Sequence, residues 1–362
     1  MLSIFQKYIL PGIIFQSVVI GGGYATGREI VEFFFSSGPI GGLLGIFVAM
    51  VVWSVSLALS FELARLTKSY DYNSFFTHLL GRFSFLFEIA FLILIILVIS
   101  TLGAAAGGLI ASNFGVSAVW GTVAMMVAVA VLVFYGSATI EKVLAGWSFL
   151  LYGAYFTFVV FCFVKFGDKI THNFSVSTLE PGWFMGGLSY SGYNLASMTA
   201  VLFCLHHITT RKEAILAGLF AGPIAMIPAI LFFVAMVGYY PEIVTQDLPV
   251  NFLLSVLDMP VFKIIFEIIL FGTFIETGAA NIHAVNERVA KIFESKNKTM
   301  PRFMRPAIAM VILFTAIVLA TKFGLVNLIA SGYGTLTYAF IILIIGPLLT
   351  IGIWKILKSR KS

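Results

Sequence analysis

Gly21-Gly22-Gly23-Tyr24-Ala25-Thr26-Gly27-Arg28-Glu29 interrupts an apolar stretch, 8–35, that otherwise reads as a membrane-spanning helix. The glycines at 21, 22, 23 and 27 weaken a helix, because glycine loses the most backbone freedom on ordering, and two charges follow at once. Backbone freed from helical bonding cannot face lipid, which offers no water to its N–H and C=O groups. Such a break either lines a polar cavity or packs against protein. A broken helix at mid-membrane depth points to the binding site of a secondary transporter; the competing reading is that the glycines only let neighbouring helices approach closely.

The composition sets the class around this stretch. The chain has 362 residues, of which 60% are hydrophobic and only 10% charged, with 37 Phe, a mixture foreign to soluble domains. Apolar runs of about 20 residues place ten spans near 8–35, 39–64, 83–112, 117–135, 143–164, 182–206, 214–238, 261–292, 303–321 and 325–356. The expectation is an all-α integral membrane protein with one transmembrane domain over 1–362. The first run is not read as a signal peptide: it is too long, carries Arg28 and Glu29, and lacks a small-residue cleavage site.

Orientation follows from the cations. Lys165, Lys169 and Lys322 fall in loops on one side, and Arg28 and Lys263 in the outer parts of helices. The rest of the 22 Lys and Arg, Lys296, Arg360 and Lys361 among them, fall on the side of the N-terminus. Both termini are therefore expected in the cytoplasm, with the chain in the cell membrane. The net charge of +6 reflects this topology and contact with anionic lipid, not nucleic-acid binding. Cys162 and Cys204 lie in or at the end of apolar spans without metal-ligand spacing, so neither a disulfide framework nor a metal cluster is expected. No Gly-rich phosphate loop is present, and no cofactor is expected beyond a coupling Na⁺ or H⁺.

The second half echoes the first. Its opening span carries an uncharged polar cluster, Ser189-Tyr190-Ser191-Gly192-Tyr193-Asn194, where the first span carries its glycines. Five spans separate the two interruptions, and an odd number inverts the second half relative to the first. The third span of each half is also long, as strongly tilted helices are. Interrupted segments at corresponding positions of two halves mark a transporter's binding site. The expected architecture is a five-plus-five inverted repeat, about 8–165 and 182–356, with the first and sixth helices discontinuous.

With Gly21-Gly22-Gly23 in the first helix, Ser191-Gly192 in the sixth and ten spans with the N-terminus inside, the chain resembles the LeuT-like fold of the amino acid, polyamine and organocation superfamily. More narrowly, the opening GGGYATGREIVEFF is similar to that of the bacterial YkvI-like family of membrane proteins. The resemblance implies a central solute site between the two breaks. It also implies a sodium site where the middle of the eighth helix, here Glu276-Thr277, meets carbonyls of the first, and a role for Arg28 in an outer gate. The acidic partner usual for such a gate is missing from Ser331-Gly332-Tyr333-Gly334-Thr335.

The residues suggest chemistry of their own. A helix stub restarting near Tyr24, Thr26 and Gly27 would offer free N–H groups to a carboxylate. The 189–194 cluster supplies hydroxyls, an amide and two phenols, suited to a small zwitterion, unless it is only a packed polar kink. Ser100 and Thr101 either complete the wall or bond their own backbone. Glu276 lies mid-span, where a carboxylate is expensive and by default functional. It can ligate Na⁺, carry a proton, pair with Arg28 or rest as a neutral hydrogen-bonded acid. Arg28 and Glu32, one turn apart, can pair, while Glu29 points about 100° away and is free to reach another helix. The leading expectation is an ion-coupled transporter for a small polar solute such as an amino acid. A passive channel, a membrane sensor on a transporter fold and an intramembrane enzyme are the other classes, the last disfavoured because no aspartate lies mid-span.

Overall fold

The computed structural model describes residues 4–134, 137–294 and 297–359, and every regular element among them is helical. Lys296, Arg360, Lys361 and the last residue of the expected 117–135 span lie outside the described residues. In chain order the helices are α1 Leu10–Val19, α2 Gly22–Ala25, α3 Arg28–Phe34, α4 Gly38–Thr67, α5 Tyr72–Leu80, α6 Ser84–Phe114, α7 Ala118–Phe134, α8 Ser137–Ser175, α9 Trp183–Asn194, α10 Arg211–Val237, α11 Pro249–Leu257, α12 Pro260–Glu294, α13 Met304–Asn327, α14 Gly334–Phe340 and α15 Ile353–Lys358. By length and composition, five stretches can cross a membrane: Arg28–Thr67, Tyr72–Phe114, Leu150–Ser175, Arg211–Val237 and Met304–Lys358. Segments of the expected ten that fall outside these five include the interrupted ones, α1 to α2 and α9, the 17-residue α7, and α12, whose length carries Lys263, Glu267, Glu276 and Glu287.

Local chemistry sets the helix ends. Thr210 caps α10 with a reciprocal capping box: its hydroxyl accepts from the Glu213 N–H and the Glu213 carboxylate accepts from the Thr210 N–H. Pro39 sits in the first turn of α4, where its missing N–H costs nothing. Gly324, at φ +70 and ψ 172, kinks the chain inside α13, at the boundary expected between the last two spans.

Two short helices, α5 and α11, were not among the expected spans. Asp71 starts α5, its Oδ1 accepting the Ser74 N–H at 2.9 Å, and Pro249 starts α11. Each is nine residues long, and each precedes one of the two spans expected to be long and tilted, here α6 and α12.

The scaffold is built on small-residue contacts. α4 runs along α10, where Gly218 lies against the Ala58 backbone and Gly222 against Ser54 and Met50 O, so closely that a Cβ on either glycine would collide. Without a hydrophobic driving force between helices in lipid, such close approach is what holds them. The Ser54 hydroxyl adds a hydrogen bond to Leu219 O at 3.0 Å. α4 also packs on α9, α14 packs on α9, and α12 packs on α6, α7 and α8. Trp53, Phe15 and Tyr190 form the buried aromatic centre where α4, α1 and α9 meet.

Candidate functional site

The first helix breaks twice. α1 ends at Val19, Ile20 leaves the helical region at ψ 69, and the Gly21 N–H turns back to Val19 O at 2.7 Å. One turn follows, Gly22–Ala25, and Gly27 then takes φ +80, a left-handed conformation that side chains disfavour, before α3 restarts at Arg28. The expected stub at 24–27 is thus a single turn whose few aligned peptides carry little dipole, so it offers a carboxylate much less than a full helix would. Protein groups occupy the freed backbone. The Thr26 hydroxyl donates to Gly23 O at 2.8 Å, Tyr155 OH donates to Ala25 O, and the Val250 N–H donates to Thr26 O at 3.0 Å.

A cavity of about 560 Å³ lies against this break. Of the sequence candidates, Gly21, Gly23, Glu29, Tyr193, Asn194, Glu276 and Thr277 line it. Glu29, 5% exposed, is the second residue of α3. Its Oε2 accepts Tyr193 OH at 2.7 Å, and its Oε1 lies over Gly23 so closely that a Cβ there would strike it. On the other side of the break the Thr277 methyl sits 3.7 Å from where a Cβ on Gly21 would stand, and the neighbouring Glu276 is 8% exposed at the cavity wall. The carboxylate of α3 and the acid–hydroxyl pair of α12 therefore flank the glycines from two sides.

The other candidates have structural partners. Arg28 is engaged elsewhere than at Glu276: Nη2 pairs with Glu32 at 2.6 Å and Nη1 donates to the carbonyls of Val244 and Gln246 at 3.0 Å each. The alternative of an Arg28–Glu276 salt bridge is thereby overturned: both terminal nitrogens are engaged by Glu32 and by the segment that covers the arginine, and Nε is buried without a hydrogen-bond partner. Ser100 donates to Ile96 O at 2.6 Å and Thr101 to Val98 O at 2.7 Å, their own backbone; Thr101 also meets Tyr333 OH at 2.8 Å.

The second interruption falls later than the polar cluster suggests. Residues 183–194 stay helical, and the backbone departs from α geometry afterwards, as 3₁₀ turns at Leu195–Ala200 and Leu202–His207. Carbonyls of α9 ahead of these turns also accept from other helices, Ser189 O from Thr337 Oγ1 at 2.7 Å and Ser191 O, which keeps its bond from the Leu195 N–H, from Trp53 Nε1 at 3.1 Å. Ser191 Oγ donates within its own helix to Leu188 O, Gly192 faces Thr337, and the Tyr190 hydroxyl is buried among rings without a hydrogen-bond partner.

Several cavity residues were not singled out from sequence. Tyr333 stacks on Tyr193 with ring centroids 4.7 Å apart. Asn281 donates to Thr277 O at 2.8 Å; it is one turn beyond Thr277 on the same helix face, a spacing that could have revealed it. Arg288 lies at 3.9 Å over the Tyr72 ring and 3.8 Å over Phe91, with Glu88 at 3.3 Å. From Glu276 the lining follows α12 to Glu287, Arg288 and Lys291, about 22 Å at the helical rise. No group of three or more His, Cys, Asp or Glu that could hold a metal ion is found among the described residues.

No family model matches the chain. The Bacillus subtilis (strain 168) membrane protein YkvI is 22% identical over 292 residues, 79% of this chain and 82% of that protein. Among solved structures, MhsT in complex with L-phenylalanine matches with a TM-score of 0.61 at 15% identity, over 98% of this chain and 97% of that one. A manganese transporter from Eremococcus coleocola matches with a TM-score of 0.62 at 14% identity, over 95% of this chain and 78% of that one. The fold is LeuT-like. Identities this low carry architecture and not chemistry, so what this LeuT-like protein binds has to be argued from its own cavity.

Proposed function

We propose that the chain is an ion-coupled secondary transporter of a small polar solute, an amino acid or related compound, working by alternating access. Ten spans in two inverted halves, with both termini in the cytoplasm, form its frame. The observation that carries this reading is the cavity itself: it meets the broken first helix at its deep end, where Glu29, Tyr193, Asn194, Glu276 and Thr277 converge, in a fold shared with transporters. A break that lines a polar cavity is where transporters of this construction hold solute.

The cavity's course supports alternation. It extends toward Arg288 and Lys291, the side richer in cations and hence cytoplasmic by the positive-inside rule. On the opposite side Arg28 pins the segment around 244–246, and Val250 is bonded to Thr26. This arrangement is that of a transporter open inward, and releasing the Arg28 contacts would open the other side. Glu276 and Thr277, beside Gly21, form the coupling site, taking Na⁺ or a proton. Purified protein in proteoliposomes should show saturable uptake driven by a sodium or proton gradient. Uptake that is linear in solute concentration and indifferent to both gradients would replace this reading with a passive pore or a non-transporting role.

A further inference from the structure

The charge pattern at the deep end of the cavity selects among solutes, and this inference rests on the transport reading above. Glu29 is almost fully buried, and removing a carboxylate from water is expensive unless charge and hydrogen bonds compensate. Its protein partner is the neutral phenol of Tyr193, on Oε2, and no ion pair within 4.0 Å reaches it among the described residues. The cation next to it in sequence, Arg28, is committed to Glu32 and two carbonyls. The lining cations, Arg288 and Lys291, belong to the far end of α12. With Oε2 on Tyr193, Oε1 is the oxygen that lies over Gly23, and Glu29 and Gly23 both line the cavity. The stacked rings of Tyr193 and Tyr333 and the apolar side chains of Leu94, Ile95 and Val98 line the same cavity.

We infer that Glu29 binds the ammonium group of the solute, and that the recognised class is primary amines with an apolar body, with or without a carboxylate. The protein supplies the anion, the hydroxyl that fixes its rotamer and the apolar wall; the ligand supplies the missing cation. An ammonium donates to Oε1 in a charge-assisted hydrogen bond, the stronger kind, and its aliphatic or aromatic part rests on α6 and the Tyr193–Tyr333 stack. A solute with a carboxylate alone would meet Glu29 with like charge in a low-dielectric site and be rejected.

The test uses the purified full-length protein and two matched trios: phenethylamine, L-phenylalanine and 3-phenylpropionate, and isopentylamine, L-leucine and 4-methylpentanoate. Binding is read by calorimetry, with uptake of the same six into proteoliposomes in parallel. At least one amine and its amino acid should bind, and neither carboxylate-only member should. Glu29→Gln keeps the acceptor for Tyr193 but removes the charge, and should weaken amine binding by at least about tenfold. Tyr193→Phe frees the carboxylate to turn and should weaken it by less. A carboxylate-only compound bound as well as its amine, or Glu29→Gln with unchanged amine affinity, overturns the inference. Gradient-driven uptake of 3-phenylpropionate or 4-methylpentanoate would overturn it while leaving the transport reading intact. Failure of all six to bind or be taken up counts against both.

Discussion

The glycine run around α2 and the polar cluster of α9 are surrounded by protein in different ways. In α9 the helical carbonyls of Ser189 and Ser191 also accept from Thr337 and Trp53, Gly192 is packed against Thr337 and Ile341, and Tyr190 is walled in by rings. Around α2 the glycines leave Gly21 and Gly23 at the wall of a cavity, with Glu29 on one flank and Thr277 on the other. Protein seals the 189–192 stretch ahead of the second break, whereas Gly21 and Gly23 at the first break, and Ser197, Thr199 and Ala200 in the turn after α9, face the cavity. A polar cluster and a glycine run in apolar helices therefore do different work: Ser189 to Gly192 form a packed joint, Gly21 and Gly23 part of a cavity wall, and the surrounding side chains decide which.

The largest expected effect breaks this contrast at the open side. Gly23→Leu would drive a side chain into the Glu29 carboxylate, the free end of a flexible group beside a roomy cavity. Folding should survive, while affinity for the solute falls by about 100-fold, close to 3 kcal/mol. Calorimetry alongside thermal unfolding separates the two, and an equal loss of stability would make Gly23 a packing residue. Gly192→Leu should behave in the opposite way. Its Cβ would meet Thr337 Cγ2 at 2.9 Å and Thr337 O at 3.3 Å, where a packed helix has to shift, so stability drops by about 1–3 kcal/mol with solute affinity in the surviving protein nearly unchanged. Thermal unfolding in detergent, with binding measured on the folded fraction, checks it.

The smallest effect sharpens the comparison. Thr337→Val removes the hydroxyl that holds Ser189 O and should cost about 0.6 kcal/mol, the average for hydrogen bonds between membrane helices, with uptake intact. Thr26→Val removes the contact to Gly23 O at the open break and should cost a similar amount of stability, but it should also lower uptake, since Gly23 is part of the cavity wall. Equal uptake in the two variants would erase the distinction drawn between the breaks.

Much of this was legible in the sequence, and the misses have physical causes. The first break announced itself because three consecutive glycines followed closely by two charges weaken a helix in an otherwise apolar run. The second was misplaced: Ser191 and Asn194 look like a break, but their side chains bond carbonyls of their own helix and the chain stays helical through Asn194. Arg28 pairing with Glu32, and Glu29 reaching another helix, followed from helical spacing alone. That the other helix presents Tyr193 could not, because it depends on how α3 and α9 pack. α5 and α11 escaped because nine residues are too few to read as a span, although Asp71 three residues before Ser74 and Pro249 after a polar turn were start signals. Tyr333 looked like one hydroxyl among several; its place in the wall comes from stacking on Tyr193.

The central claim is that the cavity at the first break is a solute site reached from one side of the membrane at a time. Ala280 lines it, one turn beyond Glu276, and offers the most direct measurement. In a background with the two buried cysteines, Cys162 and Cys204, replaced, Ala280→Cys should react with a membrane-impermeant thiol reagent added from the cytoplasmic face. Bound solute should slow that reaction. A cysteine at position 280 that is inert from both faces, or that reacts at the same rate with and without saturating solute, would contradict the account.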